Sequence, residues 1–118
     1  MSRILIVDDA KFMRVRLAKL LKENGHEIFE AENGDEAIKM YQQVQPDAVL
    51  MDVTMPEKDG LEALKEIRGL DPKARVIMLT ALGQESMVVQ AVQAGARDYV
   101  VKPFDPDRVM GALRKVLG

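Results

Sequence analysis

Residues 4–9 of the chain, with the sequence ILIVDD, form a short apolar run that ends in two carboxylates. Similar apolar runs occupy Ala48–Met51, Val76–Leu79 and Tyr99–Val101, each bounded by polar or turn residues. Runs of this kind are typical of strands in a parallel sheet that is covered on both faces. A fifth run, Glu27–Ala31, mixes charged with apolar residues and therefore predicts a strand at the edge of the sheet.

Helical periodicity fills the segments between the predicted strands. The first helix is expected to end at Asn24-Gly25, a pair suited to a left-handed cap. Its basic residues, Arg14 among them, are expected to lie largely on the solvent side. The third helix is expected to run from about Gly60 to Arg68 and to end at Gly69, before Asp71-Pro72. The second to fifth helices are predicted to begin at or near the following residues: Asn33, Gly60, Gln84 and Asp105.

Strands and helices thus alternate along the chain as βαβαβαβαβα. This order predicts an α/β fold, a doubly wound five-stranded parallel sheet with five helices and right-handed crossovers. With the mixed strand at one edge, the strand order is 2-1-3-4-5, a flavodoxin-like arrangement. In such a sheet the ligand crevice lies at the carboxyl ends of the strands, where the first and third strands diverge. A functional site is therefore expected there.

The composition narrows the classes of function. At 118 residues the chain is expected to form a single domain, residues 1–118. The 17 Lys and Arg against 19 Asp and Glu give a net charge of -2, whereas a protein that holds a nucleic-acid backbone is expected to be basic. The absence of Cys excludes disulfides and thiol chemistry. Because no apolar run approaches the ~18 residues of a membrane span, we expect a cytoplasmic protein that contacts neither membrane nor nucleic acid.

Acidic side chains follow two neighbouring strands of the predicted sheet. Asp8 and Asp9 come directly after the first strand, and Asp52 ends the third. Converging carboxylates repel one another unless they are protonated or bridged by a cation. Mg²⁺ relieves that repulsion, and it favours one or two carboxylates together with waters and phosphate oxygens. The alternative for Asp8 and Asp9, simple capping of the first helix, does not account for the third carboxylate.

A hydroxyl group and an ammonium group complete the set. Thr80 ends the fourth strand and Lys102 the fifth. An ammonium group beside the carboxylates would neutralise charge that develops on a transferred phosphoryl group. Taken singly, Thr80 would be an ordinary residue at the end of a strand, and Lys102 would be a side chain with its ammonium group in solvent. Together with the three acids they indicate an acceptor, a metal site, a hydroxyl and a cation at one crevice.

Four segments resemble those of the receiver domains of two-component response regulators, and the resemblance extends over essentially the whole chain. The segments are Ile4–Asp9, Met51–Pro56 with Gly60 beyond it, Leu79–Ala81 and Asp98–Phe104. Each segment is unspecific alone, but the four in this order and spacing are specific.

The resemblance implies that Asp52 attacks a phosphohistidine of a sensor histidine kinase and becomes an aspartyl phosphate. Asp9, Asp52 and the backbone carbonyl of Thr54 would bind Mg²⁺ directly, whereas Asp8 would act through bound water. The chain would catalyse only its own phosphorylation and dephosphorylation, so it would not be an enzyme for a separate substrate.

By the same resemblance, Thr80 and Lys102 would hold phosphoryl oxygens, and the Lys102-Pro103 bond would be cis. Tyr99 matches the aromatic residue that turns inward when Thr80 moves toward the phosphoryl group. Two rotamers of one side chain form a bistable element, which a local change of charge can bias. The altered surface would comprise the fourth helix, the fifth strand and the fifth helix.

Within the family, residues 8–14 (DDAKFMR) and Met87–Val89 look most like stand-alone chemotaxis regulators of the CheY type. Such a protein would receive its phosphoryl group from the chemotaxis kinase and, once phosphorylated, bind a flagellar motor switch protein. We expect a monomer, since no output domain requires pairing. The alternative is the receiver domain of a transcription factor or of a multi-step phosphorelay, because an excised receiver domain would have a similar sequence.

Two other classes of protein share parts of the pattern. A phosphatase of the haloacid-dehalogenase type places a second Asp two residues after its nucleophile, and this chain has Thr54 there. A flavodoxin-like FMN carrier needs a hydroxyl- and glycine-rich phosphate loop after its first strand, where Asp8 and Asp9 would repel a bare phosphate.

Leu82 suggests a slow return to the unphosphorylated state. Thr54 and Leu82 lie two residues beyond Asp52 and Thr80, at positions where side chains in the family tune the access of hydrolytic water. Because the side chain of Leu82 forms no hydrogen bonds, we expect slow autodephosphorylation.

Overall fold

Five parallel strands alternate with five helices in the computed structural model, which describes residues 2–55 and 58–118. The strands are β1 (Arg3–Val7), β2 (Glu27–Ala31), β3 (Ala48–Asp52), β4 (Val76–Ala81) and β5 (Asp98–Lys102). The helices are α1 (Lys11–Glu23), α2 (Gly34–Val44), α3 (Gly60–Leu70), α4 (Glu85–Gln93) and α5 (Pro106–Leu117). The strand order is β2-β1-β3-β4-β5, so the predicted doubly wound α/β fold is confirmed. Over the described ranges, every helix is too short or too polar to span a bilayer.

Alternate side chains of the strands enter two hydrophobic cores, one on each face of the sheet. On β1, Leu5 and Val7 pack in the core formed with α2 and α3, whereas Ile4 and Ile6 pack in the core formed with α1 and α5. This division follows from the two-residue period of a strand. All four side chains are fully buried, and burial of each contributes roughly 2 kcal/mol. The apolar run that predicts β1 is therefore a strand covered on both faces.

The strand β2 lies at an edge of the sheet, as its mixed sequence predicts. Its Glu27 and Glu30 are exposed, while Ala31 is buried against the neighbouring core. Next to it, β1 and β3 pair in parallel, yet the helices that follow them pack on opposite faces of the sheet. The chain therefore leaves the two strands in opposite directions, and a crevice opens at their carboxyl ends.

The ends of α1 and α2 agree with the sequence analysis, but the end of α3 does not. Asn24 caps α1, and Gly25 follows with a φ of 84°. The Asn33 side chain accepts a hydrogen bond from the backbone N–H of Glu36 at 2.9 Å at the start of α2.

The helix α3 stops before Asp71-Pro72 as predicted, but it continues through Gly69, where its end was predicted, to Leu70. A single glycine in an exposed turn costs only about 1 kcal/mol relative to Ala, which packing of the helix can offset. The helix ends where Asp71 turns extended, with a φ of -142° and a ψ of 98°. The residue before a proline avoids the helical region, and Pro72 follows Asp71.

Candidate functional site

Three carboxylates meet at the crevice between β1 and β3. Asp8, Asp9 and Asp52 each offer one oxygen atom, and these atoms lie within 4.8 Å of one another. Asp8 is 1% exposed and Asp52 is 8% exposed, whereas Asp9 is open to solvent. The structure therefore brings together the three acids that the strand order predicts.

The register of the sheet explains this convergence. Val7 of β1 is paired with Met51 of β3, so the residues that follow, Asp8 and Asp52, emerge side by side. The backbone N–H of Asp8 continues the pairing with β2, to the carbonyl of Ala31 at 3.2 Å. The loop that carries Asp8 and Asp9, here called the acidic loop, is therefore held level with the carboxyl end of β3.

Capping of α1 accounts for only part of the role of Asp8. The N-cap residue of α1 is Ala10, whose side chain forms no capping hydrogen bond. One oxygen of Asp8 accepts the N–H of Ala10 at 2.9 Å, while the other accepts from the Lys102 ammonium group at 2.9 Å. Its carboxylate thus shapes the loop with one oxygen and faces the crevice with the other.

Lys102 reaches both buried acids from the end of β5. Its Nζ lies 2.9 Å from Asp8 Oδ2 and 3.4 Å from Asp52 Oδ1. Burial disfavours the charged form of Lys102, but the hydrogen bond that Lys102 donates to Asp8 and the charge of Asp52 outweigh this effect and raise the pKa of Lys102. The Lys102-Pro103 bond is cis, as the resemblance implies. The ammonium group is therefore held in its charged form between two carboxylates.

The environment of Asp52 opposes its negative charge. Burial is the largest effect and, with the nearby charge of Asp8, raises the pKa of Asp52 from 3.8 to about 6. The charge of Lys102 and the backbone N–H of Thr54, 3.4 Å from Oδ1, act in the opposite direction. Hard oxygen donors that repel one another at this spacing are a donor set that suits Mg²⁺.

Thr80 and Tyr99 occupy different levels of the neighbouring strands. Leu79 is paired with Asp52, and Thr80 follows it at the end of β4 with 1% of its surface exposed. Tyr99 on β5 is exposed and lines, with Thr80 and Val88, a cleft against α4. The structure thus places Thr80 one residue beyond the position paired with Asp52, and Tyr99 on the outer side of the strand pair β4 and β5.

Thr54 presents its groups toward two partners. Its backbone N–H faces Asp52, and its side-chain Oγ1 accepts a hydrogen bond from Gln84 Nε2 at 2.8 Å. The segment Met51–Pro56 is described as far as Met55, and Pro56 lies outside the described residues. The contact with Gln84 joins loops that are distant in sequence, and no local pattern in the sequence predicts it.

Arg14 is buried next to Asp8, so the prediction that it lies on the solvent side of α1 was wrong. Only 7% of Arg14 is exposed. Its Nη1 donates to the backbone carbonyl of Asp8 at 2.7 Å, and the guanidinium group also contacts Glu30 at 3.1 Å and Glu32 at 3.3 Å. A long basic side chain can be buried where acidic partners and a carbonyl group satisfy its donors. Arg14 therefore links the backbone of the acidic loop to the end of β2 and the loop after it.

Gly60 brings the start of α3 against the end of β3. A Cβ atom at this position would lie 1.9 Å from the carbonyl oxygen of Asp52. The Gly60 N–H also donates to the carbonyl of Val53 at 2.8 Å. A glycine is required here because any side chain would collide with the backbone of Asp52.

Comparison with known proteins shows the family to which this chain belongs. The family model described as "Response regulator receiver domain" matches residues 4–114. The chemotaxis protein CheY of Bacillus subtilis is 56% identical over 116 residues, which cover 98% of this chain and 97% of that protein. The chemotaxis protein CheY of Thermotoga maritima is 51% identical over the same shares of the two chains.

A solved structure is similar in the same way. The CheX-CheY-BeF3-Mg+2 complex from Borrelia burgdorferi superposes with a TM-score of 0.93 at 36% identity, covering 98% of this chain and 89% of that chain. The polar residues of the site lie at the ends of β1, β3, β4 and β5. All four strand ends fall within residues 4–114, the range that the family model matches. The chain therefore belongs to the receiver domains of two-component response regulators, and within them it is CheY-like.

Proposed function

We propose that Asp52 accepts a phosphoryl group from a phosphohistidine of a sensor histidine kinase. A carboxylate oxygen of Asp52 attacks phosphorus, the bond from phosphorus to the imidazole nitrogen breaks, and the imidazole retains the electron pair and takes up a proton from solvent. The product is an acyl phosphate on Asp52. The observation that carries the proposal is the position of Asp52, a largely buried carboxylate held between Lys102 and two further acids.

The acidic cluster would hold the Mg²⁺ ion on which this transfer depends. Asp9, Asp52 and the backbone carbonyl of Thr54 would bind it directly, and Asp8 through water. The close approach of three carboxylates to within 4.8 Å supports the assignment, since hard oxygen donors are the ligands that Mg²⁺ prefers. Bound there, the ion would offset the repulsion among the acids and neutralise charge on the phosphoryl oxygens.

Lys102 and Thr80 would hold the phosphoryl group after transfer. The Lys102 ammonium group already lies within 3.4 Å of Asp52, so a phosphoryl oxygen on that carboxylate stays within its reach. The hydroxyl of Thr80, at the end of the adjacent strand, would donate to a second oxygen. Movement of Thr80 toward the phosphoryl group would leave space that Tyr99 fills by turning inward from its exposed position.

The signal would leave through the surface formed by α4, β5 and α5. Val89, Val92, Tyr99 and Val101 are exposed on this side of the protein, and apolar residues grouped in this way indicate a surface for a protein partner. As in a chemotaxis regulator, the partners would be the chemotaxis kinase and a flagellar motor switch protein. Support comes from the CheY relatives, which match almost their entire length.

The chain would work as a single receiver domain of residues 1–118, as a monomer in the cytoplasm. It would turn over only its own phosphoryl group. Thr54 occupies the position where a phosphatase of the haloacid-dehalogenase type has its general acid and base, and a threonine hydroxyl does not supply that proton shuttle. The product is therefore a changed surface.

Acetyl phosphate provides a direct test of phosphoryl acceptance. We expect wild-type protein with acetyl phosphate and Mg²⁺ to gain one phosphoryl group in its intact mass, and to gain none after chelation of the metal. Asp52→Asn is expected to abolish the gain, whereas Asp107→Asn, an exposed acid at the start of α5, is expected to retain it. A mass gain that is equal with and without Mg²⁺, or that survives Asp52→Asn, would refute the proposal.

A further inference from the structure

The side-chain amide of Gln84 joins the two loops that border Asp52. Its Oε1 accepts a hydrogen bond from the backbone N–H of Ala81 at 2.6 Å, and its Nε2 donates to Thr54 Oγ1 at 2.8 Å. Thr54 is the residue whose own N–H faces the Asp52 carboxylate. Ala81 follows Thr80 directly, so both ends of the amide are attached next to the acceptor site.

Gln84 is also the residue from which α4 begins. Its backbone carbonyl accepts the N–H groups of Met87 at 3.0 Å and Val88 at 3.1 Å, the first turn of the helix. Its side chain makes no cap of its own helix and is used entirely across the loops. Within α4, Ala91 is the buried residue and Met87 packs partly buried against the same core. The Gln84 backbone N–H also donates to the carbonyl of Ala81 at 3.3 Å, so the start of the helix is attached to the site by this bond and by the two contacts of one side chain.

We propose that Gln84 is a positioning residue that couples the state of Asp52 to the start of α4; this inference rests on the proposed function of Asp52. In the unphosphorylated protein the amide bridge keeps the loop from Ala81 to Gln84 in place. We call the pair of hydrogen bonds, from Ala81 N–H and to Thr54 Oγ1, the Gln84 clasp.

Phosphorylation would open the clasp through competition for a single donor. A phosphoryl group on Asp52 adds strong acceptor oxygens beside Thr80 and the adjoining N–H of Ala81. A hydrogen bond to an ionised acceptor is roughly twice as strong as one to the neutral amide oxygen of Gln84. When the Ala81 N–H turns to the phosphoryl group, Gln84 loses one of its two attachments. The first turn of α4, whose N–H groups bond to the Gln84 carbonyl, is then held to the site by fewer hydrogen bonds and can shift.

The direction of the effect distinguishes coupling from simple support. If the clasp favours the unphosphorylated arrangement, its removal makes the other arrangement more accessible, so affinity for a phosphoryl mimic rises. Loss of one net hydrogen bond corresponds to a change of about 3- to 10-fold. A residue that merely supported the fold would, on removal, lower that affinity or leave it unchanged.

The test compares Gln84→Ala and Thr54→Val, which remove the two ends of the same hydrogen bond, with their double variant. Gln93→Ala is the matched control, a glutamine that is exposed on the same helix. Beryllofluoride with Mg²⁺ is the phosphoryl mimic, and its affinity is measured by titration. Backbone amide exchange is measured in the metal-free proteins at Ala81, Met87 and Val88.

We expect both single variants to bind beryllofluoride about 3- to 10-fold more tightly than wild type. The double variant should bind no more tightly than Gln84→Ala, since residues that share one hydrogen bond are not additive. Amide exchange at Ala81 should rise by about 10-fold in Gln84→Ala, and Gln93→Ala should match wild type in both measurements.

The outcomes separate the two proposals. Wild-type protein that binds no beryllofluoride would contradict the proposed function and the coupling together. Wild-type binding with unchanged or weaker affinity in Gln84→Ala and Thr54→Val would overturn the role of Gln84 alone, and so would fully additive effects in the double variant.

Discussion

Single residues set the charge at the carboxyl end of the sheet. Lys102 contacts the carboxylates of Asp8 and Asp52, while Asp9 lies beside them in solvent. The burial that raises the pKa of Asp52 also strengthens the electrostatic attraction between its carboxylate and the Lys102 ammonium group, relative to the same pair at the surface. A cation bound by the acids and the ammonium group of Lys102 would therefore act on the same oxygens.

Replacement of Lys102 by Met is expected to have opposite effects on metal binding and on phosphoryl transfer. Mg²⁺ affinity should rise, because the ammonium group no longer competes for Asp8 and Asp52. The rate of phosphorylation by acetyl phosphate at saturating Mg²⁺ should fall by about 10²-fold, the usual effect of removing a group that stabilises transition-state charge. A metal titration and the time course of the mass gain measure the two effects.

Lys115→Met, at an exposed position of α5, is the control for the loss of one positive charge. An unchanged phosphorylation rate in Lys102→Met would contradict the role given to this residue.

Leu82 is predicted to make the acyl phosphate long-lived. Its side chain is 81% exposed and offers no hydrogen bond to an attacking water molecule. The nearby hydroxyl of Thr54 is already engaged by Gln84. We expect a lifetime of minutes or longer after removal of the donor, and a decay on the order of 10-fold faster in Leu82→Gln, which could orient water. Decay of the wild-type protein within seconds would contradict this expectation.

At the scale of elements, the helices are fitted closely to the strands that carry the site. The start of α3 lies against the backbone of Asp52, and Asp59 caps this helix through a reciprocal pair of hydrogen bonds with Glu62. The end of α3 is joined to α2 by a hydrogen bond from Tyr41 to Asp71 at 2.7 Å. The start of α3 therefore contacts the site, whereas the end of α3 is joined to α2 and contributes to the stability of the fold.

Gly60→Ala is expected to destabilise the protein by about 3 kcal/mol or more, because the new methyl group would overlap the Asp52 carbonyl. The free energy of unfolding in urea measures the loss. Gly69→Ala is the matched control in the same helix, where an added Cβ meets no atom within 4 Å. It should stabilise the protein by about 0.5–1 kcal/mol. Equal effects of the two substitutions would refute the close approach of α3.

Tyr41→Phe is expected to lower the free energy of unfolding by about 1 kcal/mol at neutral pH, the net value of one hydrogen bond. Burial, followed by the hydrogen bond to Asp71, holds the pKa of Tyr41 well above its usual 10.0. The same hydrogen bond lowers the pKa of Asp71 below 3.8.

The pH dependence of this contact follows from the raised pKa of Tyr41 and the lowered pKa of Asp71. Because the pKa of folded Asp71 is lowered, its contribution is present above 3.8 and is lost as the pH falls through the lower folded value. Because the pKa of folded Tyr41 is raised, its contribution is present below 10.0 and is lost as the pH rises toward the raised value. Urea unfolding of wild type and Tyr41→Phe should therefore converge in acid. A difference that is constant through that range would contradict the contact.

At the scale of the whole molecule, patterns that repeat along the chain could be predicted, and contacts between distant segments could not. The apolar runs predict the strands because both faces of the sheet are covered, and the strand order then brings Asp8, Asp9 and Asp52 together. Nothing in the periodicity of α1 distinguishes Arg14 from its solvated neighbours, because its acidic partners come from β2 and the loop after it.

The same limit applies to Gln84. Its partner Thr54 lies 30 positions away in sequence, and only the folded loops bring the two side chains together. The family assignment also separates the functional alternatives that the sequence pattern left open, since a response regulator receiver domain is neither a flavin carrier nor a phosphatase of the haloacid-dehalogenase type. Fold and convergent acids are thus accessible from sequence, and the side chains that position them require coordinates.

The proposed function requires that Asp52 is the residue that accepts the phosphoryl group. After reaction with acetyl phosphate and Mg²⁺, borohydride reduces an acyl phosphate of aspartate to homoserine, which peptide mass spectrometry can locate. We predict homoserine at position 52 and nowhere else, with none formed in Asp52→Asn. Homoserine at Asp8 or Asp9, or a phosphoryl group on the protein with no homoserine at position 52, would contradict the account.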